Sequence, residues 1–104
     1  GSNHWMRREI DETTIQRCET IVVDDLAQAK IEAGDLIWAA ERRAFRWNQV
    51  LELGQVASGQ SKGRSGPDAI TLFESQGLGT EDVAAAMHIY QKAIKMDIGQ
   101  KISI

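Results

Sequence analysis

The sequence predicts an α/β fold with two or three short strands and four or five helices, ending in a long amphipathic helix. Three observations carry that expectation. Thr20-Ile21-Val22-Val23-Asp24 is an almost uninterrupted β-branched run, the pattern of a strand buried on both faces as in a parallel sheet. Ala69 to Phe73 is a second short strand, and Ser75-Gln76-Gly77-Leu78-Gly79 turns the chain out of it. Val83, Met87, Tyr90 and Ile94 then recur at helical spacing and fall on one stripe.

The elements follow in order. Residues 1–10 show neither helical nor strand period and read as a loop. Asp11 is placed to cap a short helix, Glu12 to Glu19, with Ile15 and Cys18 inward. After the first strand, Asp25 starts a helix through Ala33 that carries Leu26, Ala29 and Ala33 on one side, with Gly34 as its stop. Helical pattern resumes at Asp35 and runs through Leu36, Ile37 and Ala40 to about Arg43. Trp38, Phe45 and Trp47 form an aromatic cluster of core or interface type. Asn48 is read as the cap of a helix from Gln49 to Ser58, with Val50, Leu53 and Ala57 on one stripe. Gly59 to Pro67 holds the chain's one proline and reads as a flexible linker. In the last helix Thr80 is read as the N-cap, Glu81 and Asp82 suit the positive end of the dipole, and Lys92 and Lys95 the negative end. Gly99 stops it, and 100–104 alternates as a short edge strand would.

Composition bounds the function. The chain of 104 residues, with 42% hydrophobic and 26% charged residues and a net charge of −3, fits one small domain or a piece of a larger one. Interspersed charge with an acidic balance argues against a nucleic-acid partner. No apolar run approaches the roughly 18 residues of a membrane span, and no signal peptide opens the chain, so the default location is cytoplasmic with no membrane partner. The single cysteine, Cys18, reads as a packed side chain. Asp24 and Asp25 are read as helix caps in preference to metal ligands, and no metal site is expected. Absent too are a P-loop, a Cys-x-x-Cys and a Gly-x-Gly-x-x-Gly. A strand ending in a glycine turn at a helix start would leave free N–H groups at the sheet edge, where open α/β sheets hold ligands.

Gly1-Ser2-Asn3-His4-Trp5-Met6-Arg7-Arg8-Glu9-Ile10, Ile21-Val22-Val23-Asp24, and Asp68 to Gly77 with Glu81-Asp82 following, resemble the ornithine cyclodeaminase and mu-crystallin family. Glu32-Ala33-Gly34-Asp35-Leu36 and Glu52 to Gly59 fit the same family in the same order. The resemblance covers nearly the whole chain but only the C-terminal third of the family's length. It implies the C-terminal part of a Rossmann-type domain: residues 1–58 and 69–79 derived from the nucleotide sheet, 59–67 a linker, and 80–104 a C-terminal helix and tail. The family chemistry removes hydride from the α-carbon of an amino acid to nicotinamide and gives an imine.

By position, the resemblance puts Asn3 at the catalytic site, where cyclodeaminases place an aspartate. Arg7 and Ser75 are put at cofactor contacts and Gln76 at the substrate wall. An amide cannot accept and release a proton near neutral pH, so Asn3 points away from cyclodeamination, toward a dehydrogenase or ketimine reductase. The dinucleotide fingerprint and the substrate-carboxylate residues of the family fall upstream of Gly1. The resemblance therefore implies an NAD- or NADP-dependent amino-acid or imino-acid oxidoreductase of which this chain is a fragment, inactive alone and not binding the cofactor tightly. An amino-acid substrate is expected only in the full-length context. The alternative reading is a small non-enzymatic α/β module acting through oligomerisation or protein binding, and a homo-oligomer is expected on either, with Trp38, Phe45 and Trp47 among the covered residues.

Overall fold

A computed structural model describes residues 4–100 and 102. Its centre is β1, Thr20–Val23, which is flanked by β2, Val50–Glu52, and β3, Thr71–Glu74, in the order β2-β1-β3. Both pairings are parallel, with Ile21 opposite Val50 on one side and Leu72 on the other. Parallel neighbours require crossover segments, and these cover the faces of the central strand, which is why Ile21, Val22 and Val23 are all apolar and all buried.

The helices return the chain between strands. Asp11 caps α1, Glu12–Arg17, by accepting from Thr14 N at 2.7 Å, and Ile15 is its buried residue. Asp25 caps α2, Leu26–Glu32, through Gln28 N at 2.7 Å. Then come α3, Gly34–Glu41, α4, Leu53–Ala57, and α5, Gly79–Lys95. Ile15, Ile21, Val23, Ala29, Ala33, Leu36, Ala39, Phe45 and Val50 make one core. None of the residues of α5 is buried; Val83, Met87, Tyr90 and Ile94 are each more than half exposed.

Several expectations need correction. Residues 49–58 are not one helix: Trp47–Gln49 is a turn of 3-10 helix, and Val50–Glu52 is a strand, because Val50 and Leu51 gain backbone partners on β1 that outweigh local helical spacing. Gly34 does not stop α2 but begins α3. Thr80 is not the cap of α5, since the helix starts one residue before it, with Leu78 at the cap position and no side-chain bond there. At the other end α5 stops at Lys95, and Asp97, with φ 52°, turns the chain before Gly99 does. Trp38, Phe45 and Trp47 are not one cluster: Phe45 meets Trp47 edge-on at 5.3 Å, whereas the Trp38 ring has the guanidinium groups of Arg8 and Arg42 over it at 3.9 and 4.1 Å. The described part of the 100–104 tail, Gln100 and Ile102, carries no strand. The 59–67 segment is tied to its surroundings, for Thr20 Oγ1 donates to Gly63 O at 3.2 Å and Ser65 Oγ to Glu19 Oε2 at 2.7 Å.

The loop at 4–10 is fastened to α3 by two residues. Asp35 Oδ1 accepts from the N–H groups of Glu9 and Ile10 at 2.7 and 3.0 Å. Gly34 lets the loop backbone lie against the helix start: a Cβ there would run into Arg7 O and approach His4 O to 2.7 Å. Gly34→Ala is expected to destabilise the chain by about 1–3 kcal/mol through overpacking against main chain that cannot rotate away. Equilibrium urea denaturation measures it, and a loss below about 0.5 kcal/mol, the usual spread for surface changes, would show that the contact yields freely.

Candidate functional site

Parallel pairing aligns strand ends, and Val23 sits opposite Glu74. The residues that follow, Asp24 after β1 and the Ser75-Gln76-Gly77 turn after β3, therefore meet at one edge of the sheet. Asp24 is only 8% exposed and its carboxylate gathers that turn. Oδ2 accepts from Ser75 Oγ at 2.9 Å and from the N–H groups of Gln76 and Gly77, each at 2.8 Å, while Oδ1 accepts from Asp25 N at 3.0 Å. Gly77 N also reaches Ser75 Oγ at 3.1 Å, and the residue holds this geometry with φ at 88°, where a side chain is strained. Burial is the largest influence on Asp24 and works to raise its carboxyl; the Gly77 N–H, the Ser75 hydroxyl and the Asp25 and Gln76 N–H groups together outweigh it and hold the group below the usual carboxylate range.

Glu74, the last residue of β3, has the opposite fate. It is 3% exposed and lines a cavity of about 80 Å³ with Glu9, Ile10, Asp35, Leu72 and Phe73. Burial pushes its carboxyl up to about 7, the Asp35 charge adds to that, the Gln76 hydrogen bond opposes it, and Glu9 raises it further. Gln76 Nε2 donates to Glu74 Oε1 at 3.4 Å, and Gln76 is itself buried.

Of the residues expected at the site, the structure brings Ser75 and Gln76 together on the Asp24 carboxylate. Arg7 is exposed in the 4–10 loop, and among the described residues its side chain makes no hydrogen bond or ion pair with that turn. Asn3 lies outside the described residues. The expected free N–H groups of the glycine turn are not free, since those of Gln76 and Gly77 are committed to Asp24. Asp25 is a cap as expected, but Asp24 reaches across 51 to 53 residues instead. Two functional groups went unrecognised in the sequence, the Asp24 clamp and the buried Glu74. An acid directly after an apolar parallel strand, facing a glycine turn after another, was the available signal. Among the described residues no group of His, Cys, Asp and Glu is arranged to hold a metal. Cys18 gives its Sγ–H to Thr14 O at 3.2 Å, and burial pushes its thiol up, which suits packing and not nucleophilic work.

A parallel sheet whose carboxyl edge carries an anchored strand-turn-helix connection defines an open α/β fold. The chain belongs to the ornithine cyclodeaminase/mu-crystallin family, whose profile matches residues 1–97. It is 33% identical over 103 residues to a Delta(1)-pyrroline-2-carboxylate reductase of Bacillus cereus, covering 98% of this chain and 32% of that protein. The Thermococcus litoralis Delta(1)-pyrroline-2-carboxylate reductase in complex with NADH and L-proline superposes with a TM-score of 0.72 and 32% identity over 91% of this chain and 29% of that one. An archaeal alanine dehydrogenase dimer with bound NAD gives 0.71 and 33% over the whole of this chain and 32% of that one. The chain thus spans about a third of the length of these relatives, and it matches their C-terminal part.

Asp24→Asn replaces an acceptor of several N–H and O–H groups by one that also presents donors to them. The expected loss is about 2 kcal/mol of stability at pH 7, because buried donors lose a charged partner. A depressed carboxyl contributes above its ordinary value of 3.8 and loses that contribution as pH falls through its lower folded value. Denaturation followed from pH 7 to pH 2 should accordingly show a shallower acid limb in the variant than in the parent; equal limbs would mean the clamp is energetically idle.

Proposed function

We propose that this chain is the C-terminal portion of an NAD(P)-dependent oxidoreductase acting on an amino acid or the corresponding imine, and that it is inactive alone. The observation that supports this reading best is the Ser75-Gln76-Gly77 turn anchored at the carboxyl edge of a parallel sheet, in a chain whose relatives hold NAD or NADH. Ser75 Oγ donates to Asp24 and accepts from Gly77 N, so one lone pair remains. That acceptor fits the carboxamide N–H of a nicotinamide. The pyrophosphate end finds no counterpart, because the turn's N–H groups serve Asp24 and no Gly-x-Gly-x-x-Gly occurs in the 104 residues.

When bound, nicotinamide would take hydride from, or give it to, the carbon bearing nitrogen. Ser75 would orient the ring, Arg7 would contact the cofactor, and Gln76 would form part of the substrate wall. Asn3, in the catalytic position, could orient water or an imine by hydrogen bonding without exchanging a proton, which favours a dehydrogenase or imine reductase over a cyclodeaminase. A cytoplasmic location accompanies this reading.

Calorimetric titration of the chain with NAD(H) and NADP(H) is expected to detect no binding with Kd below about 10 μM, some −7 kcal/mol. Binding tighter than that would refute inactivity through a missing cofactor site.

A second reading, a non-enzymatic module acting by association, is favoured by the exposed α5 stripe of Val83, Met87, Tyr90 and Ile94. Both readings expect self-association. Sedimentation velocity should show a homodimer or larger species that Met87→Lys weakens, and a clean monomer at about 100 μM, far above the Kd of typical specific interfaces, would remove the association reading.

A further inference from the structure

Two planar groups at the end of β3 are each half satisfied. Gln76 Nε2 reaches Glu74 Oε1 at 3.4 Å, while Glu74 Oε2 and Gln76 Oε1 are both buried and, among the described residues, without a hydrogen-bond partner. Both residues are more than nine-tenths buried, and the two oxygens are out of reach of bulk solvent. Two acceptor oxygens cannot satisfy one another, but an acid and a primary amide can. The neutral carboxyl offers one O–H and one C=O, and the amide one N–H and one C=O.

We propose that Glu74 is held as the neutral acid and shares its proton with Gln76, closing a two-bond acid–amide ring that locks the Ser75-Gln76-Gly77 turn from below while the Asp24 carboxylate locks it from above. The proton comes from solvent, and no other bond changes. The surroundings agree: among the described residues the charges that raise it are Asp35 from α3 and Glu9 from the 4–10 loop, which outweigh the opposing charge of the chain's N-terminal amine, and its carboxyl lies at about 7 instead of its usual 4.5. Neutral Glu74 relieves that repulsion. Above neutrality the ring loses its O–H, Gln76 faces a carboxylate through one long bond, and the turn loosens on that side. Glu74 is thus a positioning residue that makes the geometry of Ser75 sensitive to pH close to neutrality. The inference goes beyond the oxidoreductase reading and needs no cofactor, so it stands or falls separately from it.

The test is a pH titration of the full chain carrying ¹³C-labelled glutamate and glutamine, read at the Glu74 and Gln76 side-chain carbonyl carbons. Both signals should move together with one midpoint between pH 6 and 8, as linkage of a raised carboxyl requires. In Glu74→Gln, a permanently neutral isostere that can close the same ring with its amide, the Gln76 signal should no longer titrate. Melting temperature supplies the second readout. A raised carboxyl stabilises the fold fully below its ordinary value and loses that contribution as pH rises through its folded value. The parent should therefore lose stability between pH 5 and 8 relative to Glu74→Gln. A Glu74 midpoint near 4.5, a Gln76 carbonyl that ignores it, or a variant less stable than the parent at pH 8 would each overturn the proposal; should the variant not fold, the two parent midpoints decide alone.

Discussion

The parallel pairing of β1 with both of its neighbours is the constraint from which the rest follows. Parallel strands cannot be joined by a tight turn, so each return needs a crossover, and the chain supplies α2 and α3 before β2, and α4 with the 58–70 segment before β3. The same pairing brings all three strand ends to one edge. There each strand delivers an acid: Asp24 after β1, Glu52 at the end of β2, and Glu74 at the end of β3. Exposed N–H groups collect at that edge because helices and turns begin there, and the acids answer them. Glu52 Oε1 accepts from Leu26 N at 3.1 Å, Asp24 takes the β3 to α5 turn, and Asp25 caps α2.

Asp24 and Glu74 are both buried carboxyls on adjacent strands, yet their protons are held in opposite ways. What separates them is the supply of donors. Asp24 faces two backbone N–H groups and a hydroxyl from the turn and a third N–H from its own neighbour, which together outweigh the cost of burial. Among the described residues Glu74 has a single amide donor at 3.4 Å and two acidic neighbours, so burial wins. Paired environments that drive two like groups apart are a common arrangement at sites that must hold one charge and one proton.

How much of this was legible in the sequence depends on whether the deciding interactions were local. The caps Asp11 and Asp25 satisfy N–H groups three residues on, and both are visible in a window of four residues. The β-branched run at 20–23 announced β1 through composition alone. β2 did not announce itself, since three residues with a helical-looking stripe around them become a strand only because β1 has an open edge to pair with. Gly34 shows the same limit: its role depends on the backbone of residues 4–7 lying against it, nearly thirty positions away. The candidate turn at 75–77 was found from its glycine and serine, but its anchor was misread, because a carboxylate after a strand looks like a cap until its long-range partners are known.

What the fold leaves uncovered follows from the same parallel sheet. A parallel strand is built for cover on both faces, yet Phe73 at the middle of β3, opposite Val22, is half exposed. α5 then carries an apolar stripe with no buried residue among those described, and it adds nothing to the core. Helices of this length draw most of their stability from a packed face and little from propensity. Ala84, Ala85, Ala86 and Ala93, the acidic first turn and the basic last turn give α5 as much intrinsic support as a helix can carry. Local terms therefore carry α5, which leaves the sheet from the anchored turn at 75–77.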